Sequence, residues 1–177
     1  MKLEQFEHTI RAAGAILGVD EVLVIGSQAI HASINIELPE AERSIEVDIA
    51  VLEDIDGSKA DLIDGSIGEL SVFQETFGYY AQGVTFDTAI LPSGWRERLV
   101  PYQSPYTNGV TALCLEPHDL WISKAIANRI KDREFCTALL NRSIVKAATL
   151  HERLEKDEMI EQHMKRRTLE LIQKDTE

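Results

Sequence analysis

Cysteine is nearly absent from this chain: Cys114 and Cys136 are the two in 177 residues. They stand apart in apolar surroundings, without the close spacing of a zinc-ligand pair. That argues against a disulfide scaffold and for two buried thiols in a reducing compartment. Long hydrophobic runs are missing as well. No stretch approaches the ~20 apolar residues needed to span a bilayer. The opening MKLEQFEHTIRAAG carries Glu4 and Glu7 where a secretory segment would be apolar. Positive charge is scarce, with 18 Lys and Arg against 30 Asp and Glu and a net charge of −12. A broad nucleic-acid footprint needs a basic face, so this balance argues against one while leaving a local basic groove open. The one dense basic cluster, Lys165-Arg166-Arg167, reads as a solvated face, its other reading being a nucleic-acid contact. No internal repeat or low-complexity segment appears. These absences predict a cytoplasmic protein with no membrane partner.

What is present is enough for a sizeable core. Hydrophobic residues make up 44% of the chain, consistent with one domain over 1–142 and a helical extension over 143–177. The stretch from Glu21 to Asp54 organises the rest. Val22 to Ile25 is an apolar run of strand character that stops at Gly26-Ser27. A second run, Ile45 to Leu52, carries Glu46 and Asp48. Alternate strand side chains share a face, so these two carboxylates project together while Val47 and Ile49 face the other way. Adjacent carboxylates repel unless a cation sits between them. Mg²⁺ suits such a pair, completing its shell with water and substrate phosphates. Gly26 permits a tight turn and close approach. The residues after Ser27 read as a helix whose first N–H groups suit an anion. The bland alternatives are a common turn and the solvated face of an amphipathic strand.

Further along, residues 3–17 repeat apolar side chains at helical spacing and stop at Gly18. Asn35 to Ser44 reads as a mobile connection, Asp54–Gly57 as a turn, and Lys59–Leu70 as weak helix. Val72 to Val84 is dense in aromatics, which suggests core or pocket wall. Tyr79 and Tyr80 each add a hydroxyl able to meet a ligand. Thr85–Leu91 alternates as a strand. Arg96 and Arg98 either touch phosphates or, as such arginines more often do, solvate a helical turn. Val110–Leu115 is a buried strand, and Pro117 opens a helix bearing Trp121, Lys124 and Asn128 on one side. Lys124 lies among apolar residues, where an ammonium either meets an anion or snorkels. Asp132 either orients a basic group or caps a helix over Arg133–Asn141, and Arg129 shares that choice. From Ser143 onward the spacing gives one or two helices. His31 either lines a pocket near Gly26 or is a satisfied helical histidine.

Gly26-Ser27, an eighteen-residue spacer, Glu46-Val47-Asp48 and the later Lys124…Arg129-Ile-Lys-Asp132 segment resemble the nucleotidyltransferase superfamily related to DNA polymerase β. The last segment is similar to that of its abortive-infection, toxin–antitoxin branch. The resemblance covers roughly residues 20 to 140. It departs in the long spacer and in Glu at the first acid. It implies an α/β (α+β) core, a mixed sheet flanked by helices, followed by C-terminal helices. It implies that Gly26, Ser27, Lys124, Arg129 and Asp132 bind a nucleoside triphosphate such as ATP. It implies that Glu46 and Asp48 hold two Mg²⁺ ions. A third carboxylate of the family comes from a later strand, and Asp87 is the available residue, its other reading being a turn cap. The implied reaction moves a nucleoside monophosphate to an acceptor hydroxyl. The acceptor is open: a tRNA or other RNA end, a protein or a small molecule. A cognate toxin or antitoxin is an implied partner. The competing reading is a catalytically weak member of the same fold that acts by binding such a partner.

Overall fold

The computed structural model describes residues 1–52, 54 and 56–176, with the side chains of Phe86, Asp175 and Thr176 left aside. The elements are helix α1 (Leu3–Leu17), strand β1 (Glu21–Val24), a 3-10 helix (Ser27–Ala32), helix α2 (Pro39–Glu42) and strand β2 (Glu46–Ala50). Then come α3 (Ser58–Ile67), α4 (Val72–Phe77), β3 (Tyr80–Gly83), β4 (Val100–Tyr102) and β5 (Thr111–Cys114). Four helices follow: α5 (Pro117–Ala127), α6 (Ile130–Asn141), α7 (Ala147–Lys156) and α8 (Gln162–Thr176). The chain divides into two units. One comprises Met1–Thr88 and Leu99–Leu115, the other Ala89–Arg98 and Glu116–Glu177. The final two helices therefore group with α5 and α6 within the second unit.

The first unit is the α/β layer that the sequence predicts. Its five-stranded sheet has the order β3-β2-β1-β5-β4. β2 runs antiparallel to β1 and parallel to β3, while β1 and β5 are parallel and β4 is antiparallel to β5. The sheet is therefore mixed. Val22, Leu23 and Val24 are all buried, as a central strand covered on both faces requires. In β2, Val47 and Ile49 are buried while Glu46 and Asp48 are half-buried on the opposite side. Pro101 removes a ladder donor, which β4 tolerates because it is an edge strand. That proline also hid the strand from the sequence pattern. α1 ends at Gly18 in the left-handed region, φ 64°.

Three expectations in this unit change. The 35–44 connection is anchored: it contains α2, buries Leu38 and Ala41, and accepts a hydrogen bond from Gln28 Nε2 at Ala41 O. The helix after Gly26 is 3-10 and six residues long. The strand over Thr85–Leu91 does not form; residues 86–88 make a 3-10 turn instead. The expected turn at Asp54–Gly57 includes Ile55, outside the described residues, but its flanks are visible. Asp54 accepts hydrogen bonds from the N–H groups of Lys59 and Ala60 and so caps α3.

The second unit is helical around buried Leu120, Trp121, Phe135, Leu139, Leu150 and Leu154. Trp121 Nε1 donates to Cys136 O at 3.0 Å, satisfying the indole inside the core. Arg98 is not solvated: it grips the buried Asp119 through Nε at 2.7 Å and Nη2 at 3.0 Å. Nor is the basic cluster of α8 a solvated face throughout. Lys165 is buried and donates to Asp157 O, and Arg167 donates to Ile126 O.

Candidate functional site

Glu46 and Asp48 stand on one face of β2, as their spacing predicts. The antiparallel ladder between β1 and β2 carries Asp48 to the end of β1, where Ile25 N–H donates to Asp48 O at 3.3 Å. The Asp48 side chain then lies over Gly26. A Cβ built on Gly26 would meet Asp48 Oδ2 at 1.7 Å and Cγ at 2.7 Å. The glycine is required by this close approach rather than by its dihedrals, since φ −92°, ψ −172° is ordinary extended backbone. Ser27 follows as the first residue of the 3-10 helix, and Gln28 Nε2 lies 3.5 Å from its Oγ.

On the other side of β2, the parallel register sets Tyr80 beside Glu46 and Gln82 beside Asp48. Tyr80 OH donates to Glu46 Oε2 at 3.0 Å. Burial first, then that bond and the Glu46 charge, push the Tyr80 hydroxyl up to about 12. It therefore stays a donor at physiological pH and fixes one oxygen of the carboxylate. Sequence reasoning offered Tyr80 only as one hydroxyl among aromatics, and Gln82 not at all. Strand register decides both, and no local pattern encodes it.

Asp87 is exposed on the 3-10 turn that replaces the expected strand, where its Oδ1 accepts from Thr85 Oγ1 at 2.5 Å. That bond draws its carboxyl below the usual value. Among the described residues, no group of three His, Cys, Asp or Glu side chains is placed to hold a metal. The structure thus gathers Glu46, Asp48, Gly26 and Ser27, and does not gather Asp87 with them. Two strand carboxylates facing one way fit a Mg²⁺ ion that draws its remaining ligands from water and phosphate.

His31 lies in the same 3-10 helix, with Nε2 3.1 Å from both Met1 O and Gln28 Oε1. Burial lowers its pKa. It borders a cleft of about 340 Å³ together with Leu3, Glu4, Ile34 and Glu37. A second cleft of about 200 Å³ lies along Val19, Leu23, Val51 and Lys59. Neither is lined by Glu46 or Asp48.

Lys124, Arg129 and Asp132 come together in the helical unit. Asn128 closes α5 in the left-handed region, φ 57°, and α6 starts at once. Asp132, 2% exposed, sits in the first turn of α6 rather than at its cap. Its Oδ2 accepts from Arg129 N–H at 3.3 Å and its Oδ1 lies 3.5 Å from Lys124 Nζ. A buried carboxylate with these neighbours answers the sequence question about Lys124 within its own unit: the ammonium meets an anion.

No curated protein and no solved structure matches the chain. A family model described as nucleotidyltransferase of unknown function (DUF6036) matches residues 2–175, and the chain belongs to that family.

Proposed function

We propose that the protein is a Mg²⁺-dependent nucleotidyltransferase that moves a nucleoside monophosphate from a triphosphate to an acceptor hydroxyl. The observation that carries this reading is the packing of Asp48 against Gly26, with Glu46 on the same strand face. It joins the two halves of the motif into one corner. Glu46 and Asp48 would hold the ion, which when bound supplies charge neutralisation at the reacting phosphate. Tyr80 holds Glu46 in orientation. Gly26 lets the backbone and the carboxylate approach, and the backbone at Ser27 offers N–H groups to phosphate oxygens. Within the helical unit, Asp132 steadies the Lys124 ammonium.

The acceptor follows from charge only in part. At −12, the chain suits a small or locally recognised acceptor better than an extended RNA surface. A second reading is a catalytically weak member that acts by binding a protein partner of toxin or antitoxin type. The neutral Gln82 beside Asp48 favours it.

One experiment separates the two. Purified protein is incubated with each labelled nucleoside triphosphate, Mg²⁺ and total cell RNA or lysate. Transfer of label that depends on Mg²⁺ and is abolished by Asp48→Asn supports the enzyme. No label in any fraction, with no rise in Tm from millimolar Mg²⁺ plus any of the four triphosphates, rejects it. A folded-state ligand at one hundred times its Kd should stabilise by about 2.7 kcal/mol.

A further inference from the structure

We propose that this site takes one divalent ion rather than two, and that Gln82 sets that number. The inference rests on the reading of Glu46 and Asp48 as ion ligands and adds a stoichiometry to it. Paired ions in phosphoryl chemistry sit about 3.5–4 Å apart. Two dications at that separation repel strongly and need anionic oxygens around both. On β2 the pair of carboxylates has Gly26 against Asp48 on one side. On the other side, the register with β3 places Tyr80 beside Glu46 and Gln82 beside Asp48. Side chains paired across neighbouring parallel strands share a sheet face, so Gln82 holds the position from which a third carboxylate would reach the ions. It brings an amide oxygen without charge. Tyr80 brings a hydroxyl whose hydrogen already goes to Glu46.

Among the described residues, Asp64 and Glu69 are further acids that act on β3, and both are elsewhere engaged or placed. Asp64, on α3, accepts from Gly83 N–H at 2.7 Å and ties down the end of β3. Glu69, just after α3, is exposed, and its charge acts on Tyr80. Neither forms a three-ligand group with Glu46 and Asp48 among the described residues. Two carboxylates match one ion that brings water and phosphate with it.

The test is Mn²⁺ electron paramagnetic resonance on the full chain with a non-hydrolysable nucleoside triphosphate analogue. Wild type should bind one Mn²⁺ per chain, with an uncoupled spectrum. Gln82→Asp should bind two and show the coupled spectrum of a close pair. Gln82→Asn should stay at one. Gln82 is exposed, so all three proteins should fold alike, as far-ultraviolet circular dichroism can verify. A coupled pair in wild type overturns the inference and leaves the enzyme reading standing. A Gln82→Asp protein that stays at one ion overturns the part given to Gln82. Retention of neither Mn²⁺ nor analogue by wild type rejects the metal reading itself, and the stoichiometry with it.

Discussion

Gly26 and Asp48 share one space: the Asp48 Oδ2 lies 1.7 Å from where a Cβ on Gly26 would stand. The two residues are twenty-two positions apart in sequence, and the β1–β2 ladder brings them into contact. A side chain at 26 and the carboxylate at 48 cannot both keep their places.

Gly26→Ala should therefore push Asp48 aside. Overpacking of this kind costs roughly 1–3 kcal/mol, and Mn²⁺ affinity should fall with it. In an Asp48→Ala background the same substitution should cost clearly less, because the colliding carboxylate is gone and only the Cβ at 48, 3.1 Å from the new one, remains. Urea denaturation of the four proteins gives the coupling energy. Additive losses would mean that the clash is relieved by backbone movement instead.

Tyr80→Phe removes the donor to Glu46 and little volume. We expect a stability loss of about 1–2 kcal/mol. Mn²⁺ affinity should drop by roughly tenfold or more, as when the outer partner of a metal ligand is lost. Titration with Mn²⁺ separates the two effects. A Tyr80→Phe protein with lower Tm and unchanged Mn²⁺ affinity would make the tyrosine a packing residue only.

Lys124→Ala should destabilise the helical unit, because Asp132 remains a buried carboxylate with one cation fewer. The loss should be roughly 1–3 kcal/mol. Lys124→Ala combined with Asp132→Asn should cost less than the two single changes summed, since the amide needs no counter-charge. Denaturation midpoints across the cycle check this.

Glu116 gives a pH dependence. Burial pushes its carboxyl up, but hydrogen bonds from His118 and Arg153, with their charges, outweigh it and hold the value down to about 2, against an ordinary 4.5. His118 Nδ1 lies 2.6 Å from Glu116 Oε1. A depressed carboxyl stabilises the fold above its ordinary value, and that contribution is lost as pH falls from 4.5 toward 2. The full shift corresponds to about 3 kcal/mol, and solvent screening at a partly exposed group reduces the expectation to about 1–2 kcal/mol. Glu116→Gln should be less stable than wild type at pH 7, with the gap closing between pH 4.5 and pH 2. A gap constant across that window would show that Glu116 acts through shape rather than charge.

Local pattern alone determined a good part of this protein. The 3.6-residue spacing of Phe6, Ile10 and Ala13, with Gly18 behind it, defines α1 within its observed limits. The two-residue spacing of Glu46 and Asp48 puts them on one face of a strand whose other face is buried. Pro117 marks the start of α5. These features depend on residues a few positions apart, so periodicity and capping carry them.

Tertiary structure decided the rest, because the deciding contacts join residues far apart in sequence. Alternation in Thr85–Leu91 reads as a strand, but among the described residues no strand pairs with it, and Asp87 ends on a turn. Pro101 disguised β4, which edge position permits. Arg98 looked like a solvated surface residue until Asp119, twenty-one positions on, met it. Gln82 carries no signal of its own. Only the parallel register of β2 and β3 sets it beside Asp48, and register is a property of two strands together, fixed by the burial of both.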